Sequence, residues 1–282
     1  MTQPVPDRRA PAPLLPVLRF DARRLALLGG LALATVALLL ALGGGRATLA
    51  ALRQVDGRLL LLAAAVHYAG FALRGYRWQA LLAAVGHRLG YRYTTGVLLA
   101  GWFVSALLPA RAGDAFRIAA LRLPPPAQPA VPAADSLGSI VLERTLDILA
   151  LLLLSAGFGL GVLGLRLPGQ VWAVYGGALL LLSSVALAAL LLPVLLPRLR
   201  RRPAHPLWQR ALDFTLQVVN GLRRLPRRPV WGVGLVGESL LIWLCDALLL
   251  WLAAASLGYG LPISVAGFTA LTADIFAAVP LT

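Results

Sequence analysis

Seven apolar runs, separated by short polar or proline-rich stretches, set the pattern of the chain. Residues 25–45 carry no charge, and their Leu and Val side chains together favour insertion into a bilayer by roughly 3–6 kcal/mol before the glycines are counted. The second run, 59–85, is apolar as far as residue 73. It then carries Arg74, Arg77 and Trp78, side chains suited to a headgroup interface. Further runs cover 93–109, 136–165, 171–196, 230–257 and 263–282, and the five prolines within 124–132 make that stretch a non-helical linker. Run length and composition predict an all-α, polytopic transmembrane helical bundle, with spans at about 25–45, 59–85, 136–165, 171–196 and 230–257.

The segment 198–228 has a different pattern, with nine Arg. Leu207, Leu212, Val219 and Leu222 fall on one helical face, and Arg210, Asp213, Gln217 and Arg224 on the other. That spacing predicts an amphipathic helix on the cytoplasmic membrane surface.

Arginine placement predicts the topology. If 198–228 and the basic, Pro-rich N-terminus 1–24 are both cytoplasmic, segment 86–135 must begin and finish on the same face. Residues 93–122 are then expected to enter the bilayer and return as a re-entrant helical hairpin turning near Pro109. Gly96 precedes Pro109, and Gly267 precedes Pro280, by thirteen residues each. A second re-entrant unit over 263–282, and with it an internal inverted repeat, is expected from that spacing. Residues 25–282 thus read as a single transmembrane domain. The apolar run that stops at 282 without a charged flank is what an incomplete C-terminus would leave.

Composition narrows the function classes. Hydrophobic residues make up 59% of the 282 positions and charged residues 13%, and the mean hydropathy is +0.80. A soluble domain has about 25% charged residues, so a chain this apolar cannot cover its surface in water. All 26 basic residues are Arg and the net charge is +15. These Arg lie beside apolar spans, the arrangement of cytoplasmic flanks facing anionic lipid, so no nucleic-acid partner is expected. Without Lys, no Walker-type phosphate loop can occur. Cys245 is the single cysteine, and His67, His87 and His205 are scattered, so neither a disulfide within the chain, a metal site nor a cofactor is expected. The Arg, Ala and Leu excess matches GC-rich bacterial coding, hence a multi-pass protein of a bacterial cytoplasmic membrane.

Two charge clusters are the candidates for chemistry. The first runs from Pro109 through Arg111, Gly113 and Asp114 to Arg117. Gly113 beside Pro109 is expected to permit the backbone reversal of a hairpin, and Asp114 and Arg117 stand one helical turn apart. The second is Glu143, Arg144 and Asp147 at the start of an apolar helix. The clusters carry net charges of opposite sign, and ionisable groups at membrane depth need a partner or a wet cavity, so they are expected to meet. Two roles remain open for them. They can be salt bridges pinning the hairpin, or Arg111, Arg117 and Arg77 can bind a lipid phosphate, which a planar guanidinium grips bidentately. Asp246, Asp274 and Glu238 are candidate acids of a cavity, with an interfacial position as the other reading for Glu238.

The core Leu-Pro-Ala-Arg-Ala-Gly-Asp-(x)2-Arg of 108–117, the following Glu143-Arg144-(x)2-Asp147 and the earlier Arg74-(x)2-Arg77-Trp78 resemble the lysylphosphatidylglycerol synthase transmembrane-domain family, flippase-like proteins of bacteria and archaea. The resemblance runs from about residue 15 onward. It implies movement or handling of phospholipid or polyprenyl-phosphate lipids between leaflets, with membrane lipids as partners. The aminoacyl-transferase module of the full-length synthases is absent from this sequence, so lysyl transfer is not expected, and the Pro-Gly-Gly-type turn usual after the C-terminal Pro segment does not appear before residue 282. The alternatives are a membrane-embedded polyprenyl-phosphate-dependent glycosyltransferase, or a non-catalytic membrane accessory protein. In 46–58 the first of these has only Asp56 as an acid, beside three Arg, which weakens it.

Overall fold

The computed structural model describes residues 22–42, 53–108, 112–164, 168–200, 205–223, 225, 226 and 228–278, and positions 44, 45, 48 and 50. Pro109, Arg111 and Pro280 lie outside the described residues. Among those described the chain is all-α, with nine helices: α1 Ala22–Leu42, α2 Gly57–Ala84, α3 Tyr91–Leu107, α4 Ala112–Arg122, α5 Ala133–Leu163, α6 Gly169–Arg200, α7 Pro206–Arg223, α8 Pro229–Ser256 and α9 Ile263–Ala278. Two compact units divide at residue 55. The first contains α1, an uncharged apolar helix beyond its opening arginines. The second contains all the others.

Four helices are long and apolar enough to cross a membrane, α2, α5, α6 and α8. The shortest of them have 28 residues, about 42 Å of helix against a hydrocarbon core of about 30 Å. α3 with 17 residues and α4 with 11 reach only about 25 and 16 Å. Neither crosses by itself.

Local signals explain where the helices begin and end. Asp56 caps α2, its carboxylate accepting from the amides of Arg58 at 2.8 Å and Leu59 at 3.3 Å, which satisfies donors that the first turn leaves free. Gly86 follows α2 at φ +107°, a conformation that stops the helix and that side-chain-bearing residues resist. α8 starts with Pro229 in its first turn, where a missing amide costs nothing. The amide of Asp56 donates to the carbonyl of Ser256 at 2.8 Å, joining the start of α2 to the last turn of α8.

Within the second unit, α2 lies along α8, while α9 packs on α5 and α8. A Cβ added at Gly70 of α2 would stand 3.4 Å from Cβ of Cys245 on α8, so small side chains let these helices close up. α3 and α4 fold back on each other: Tyr93 donates to the carbonyl of Ala120 at 3.0 Å, and the amide of Gly113 donates to Ser105 Oγ at 3.1 Å. Trp78, Leu82, Leu98 and Leu121, all fully buried, fasten this pair to α2.

Two expectations change in detail. Among its described residues the amphipathic stretch is shared between two helices, α6, which continues through Pro193 and Pro197 to Arg200, and α7 over Pro206–Arg223. Its Leu212 and Val219 are buried with Leu196 of α6, and Val218 and Leu222 face Gly138 of α5, so the apolar stripe is covered by protein, and the exposed Leu207 and Trp208 stand at its N-terminal end. Gly113, expected at the reversal, lies inside α4 instead. Its role is contact, since a Cβ there would collide with the carbonyl oxygen of Gly101 on α3. Gly96 and Gly267, paired by spacing in the sequence, occupy different surroundings. Nothing stands within 4 Å of a Cβ at Gly96, whereas one at Gly267 meets the Phe158 ring at 2.6 Å.

Gly113→Ala is therefore expected to destabilise the protein by about 1–3 kcal/mol through overpacking, whereas Gly96→Ala, with open space for its methyl, leaves stability unchanged or raises it. Thermal unfolding of the two variants in detergent checks the difference.

Candidate functional site

Three arginines and three carboxylates meet between α2, α4, α5 and α8. The stagger of α4 puts Asp114 and Arg117 on one face, and that of α5 does the same for Glu143 and Asp147. Arg117 is fully buried. Its Nη2 donates to Glu143 at 2.5 Å and its Nη1 to Asp114 at 3.3 Å, and its guanidinium lies 3.9 Å from the Trp78 ring centre, a cation–π contact. Trp78 in turn donates to Ser139 Oγ at 3.2 Å. Arg144 donates to both oxygens of Asp114 at 3.2 and 3.3 Å, with Asp147 3.9 Å away. Arg77, 1% exposed, donates to Asp147 at 2.6 Å and to Ser239 Oγ at 2.7 Å.

The six formal charges sum to zero. Glu143, Arg144, Asp147, Asp114 and Arg117 thus form one network, with Gly113 setting the close approach that brings α4 in. Of the three arginines expected at a headgroup, Arg77 and Arg117 have their fork donors taken by carboxylates and a serine inside the protein. Arg111 lies outside the described residues. The Nε of Arg77, Arg117 and Arg144 are buried without a hydrogen-bond partner among the described residues.

A second group lines a cavity of about 550 Å³ between α2, α3, α8 and α9. Arg74, 5% exposed, is held between two indoles, 5.3 Å from the Trp102 ring centre and 5.0 Å from that of Trp243. Its Nη2 donates to Asp246 at 2.5 Å. His67 places Nδ1 4.0 Å from the other Asp246 oxygen, and Asp274 enters the wall from α9. Two of the three candidate acids therefore share the cavity. Glu238 does not line it; it adjoins Ser239, the partner of Arg77, with Oε1 buried and unpartnered among the described residues.

The residues that sequence reasoning missed are His67, Arg74, Trp102 and Trp243. A signal existed in the spacings, since His67 and Arg74 are seven apart and Trp243 and Asp246 three apart, each pair on one helical face. Trp243 also joins the two groups: its Nε1 donates to Asp147 at 3.1 Å while its ring faces Arg74. Among the described residues no group of three or more His, Cys, Asp or Glu has the arrangement of a metal site.

Removing one member of a buried pair strands the other's charge. Arg117→Met is expected to destabilise by about 3–5 kcal/mol, and Arg117→Met with Glu143→Gln by clearly less than the sum of the single changes. A double-mutant cycle on unfolding in detergent measures this, and additive losses would contradict the pairing.

Comparison with known proteins agrees with this architecture. The family described as "Lysylphosphatidylglycerol synthase TM region" matches residues 27–282. Glycosyltransferase AglD of Haloferax volcanii is 29% identical over 100 residues, 36% of this chain and 15% of that protein; the chain thus matches only a small part of that relative's length. No solved structure matches. A near-complete family match, joined to four helices long and apolar enough to cross a membrane, shows that the chain is a helical membrane protein belonging to the lysylphosphatidylglycerol synthase transmembrane-region family.

Proposed function

We propose that this protein handles phosphate-bearing lipids, phospholipid or polyprenyl phosphate, and carries their headgroups between leaflets through the cavity of α2, α3, α8 and α9. The observation that carries this reading is Arg74. It is a guanidinium fixed between two aromatic faces in the wall of a cavity of about 550 Å³, a size within the usual range for ligand sites. One of its nitrogens is on Asp246, and the fork has further donors with which to meet a phosphate. Most of the lining is apolar, including Leu249, Leu250 and Ala270, a surface suited to the upper part of a lipid chain. Arg77 and Arg117 hold the walls in this reading.

The short pair α3 and α4 is then a re-entrant hairpin, because neither helix has the length to cross. In this reading the open end of the hairpin, where α3 begins and α4 ends, stands at the cytoplasmic face with α7. The family description names a phospholipid, which supports lipid as the substrate class. A second reading, the membrane part of a polyprenyl-phosphate-dependent glycosyl transfer, is favoured by the partial match to Glycosyltransferase AglD.

Reconstitution tests the proposal. Proteoliposomes carrying a fluorescent phospholipid are expected to lose fluorescence to external dithionite faster and more completely than empty vesicles. Arg74→Ala removes a charge-assisted contact worth about 1.5–3 kcal/mol, a slowing of roughly 10–100-fold. Arg223→Ala on the exposed end of α7 leaves the rate unchanged. Rates equal to those of empty vesicles for phospholipid and polyprenyl-phosphate probes alike discard the reading. Sugar transfer from a lipid donor would replace it with the second one.

A further inference from the structure

We propose that the same cavity is a proton-binding site, and that a phosphate headgroup enters it together with one proton taken by the Asp274–Asp246 carboxylates. The proposal rests on the lipid reading above and supplies its driving force.

Arg74 brings one positive charge to the cavity, Asp246 and Asp274 bring one negative charge each when ionised, and His67 adds an imidazole. The other elements add no charge. α6 has none between residues 170 and 197 and presents the Tyr175 hydroxyl, beside Leu271 and Ile275 of α9. α5 meets α9 through Leu151 and Phe158, while its nearest charged side chains, Arg144 and Asp147, are turned toward α4 and Arg77. α3 contributes Trp102. On α8, Cys245 faces Gly70 of α2.

One guanidinium cannot neutralise two carboxylates. Arg74 is on Asp246, and no hydrogen bond or ion pair reaches half-buried Asp274 among the described residues. With His67 neutral and both acids ionised, the cavity carries one excess negative charge. An anionic headgroup would raise this to two and would compete with Asp246 for Arg74, in a setting where unpaired charge is strongly disfavoured. A single proton restores the balance. The carboxylate becomes a neutral acid, the phosphate replaces it as a partner of Arg74, and the total charge equals that of the empty cavity. The proton leaves to water when the headgroup does.

His67 offers the path. Its side chain is 35% exposed, yet its Nδ1 is buried, without a hydrogen-bond partner among the described residues, 4.0 Å from Asp246. An imidazole can accept a proton on its outer side and deliver one on its inner side.

The test uses full-length protein in detergent, in weakly buffered solution with a pH indicator, titrated with short-chain phosphatidylglycerol. The expected result is uptake of about one proton per lipid bound, and an affinity that rises about tenfold for each unit fall in pH across the titration of the site. Asp274→Asn, which mimics the protonated acid, is expected to bind the lipid while losing both the uptake and the pH dependence. Should that variant fail to fold, the proton count on the unaltered protein decides. Lipid binding with no proton uptake and a flat pH profile overturns this proposal and leaves the lipid reading standing. Full uptake in both Asp274→Asn and Asp246→Asn overturns it too. No binding at any pH overturns both.

Discussion

A guanidinium away from water must find a carboxylate, and the helix arrangement of this protein follows from satisfying that need several times in one small volume. Arg117, Arg144 and Arg77 face Asp114, Glu143 and Asp147. Each ion is strongly penalised alone and tolerable only with its partner in place. The pairs run from α4 to α5 and from α2 to α5, and Ser239 of α8 completes the shell of Arg77. A helix shifted by a single turn would unpair a charge, so the network fixes rotation and depth where apolar packing alone would allow sliding. Hydrocarbon surfaces are interchangeable. Ion pairs at 2.5–2.6 Å are not.

Trp243 ties the cavity to this frame. It donates its ring N–H to Asp147 and turns its face to Arg74, so the position of the guanidinium in the cavity depends on the network behind it. A change in the Arg74–Asp246 pair therefore acts on an indole that is anchored to the Arg77 side. Binding in the cavity and the set of the network share a mechanical element on α8.

Much of this was legible in the chain and some was not, for physical reasons. Apolar run length marked the four helices that are long and apolar enough to cross a membrane, because a bilayer demands a minimum number of uncharged residues whatever the tertiary detail. The meeting of the Asp114–Arg117 and Glu143–Asp147 clusters was legible because the two had opposite excess charge at membrane depth. The partner of Arg77 was not. Arg74 and Arg77 both read as interface arginines, and only the rotation of α2 against α5 and α8 separates one that pairs with Asp147 from one that faces a cavity. Gly113 was singled out for backbone freedom, yet its missing side chain matters for proximity. Sequence shows that a glycine is present but not which of its two properties is used.

That proximity carries a further consequence. Where Gly101 and Gly113 meet, α3 and α4 touch through main chain, with no layer of side chains between them, and Arg117 passes the same gap with its Cγ 2.7 Å from where a Cβ of Gly101 would stand. Interdigitated side chains can switch rotamers and let helices shear; bare backbone offers no such gearing. The two short helices are geared together at this contact, so a displacement of Trp102 at the cavity is passed on to Arg117 on the other arm.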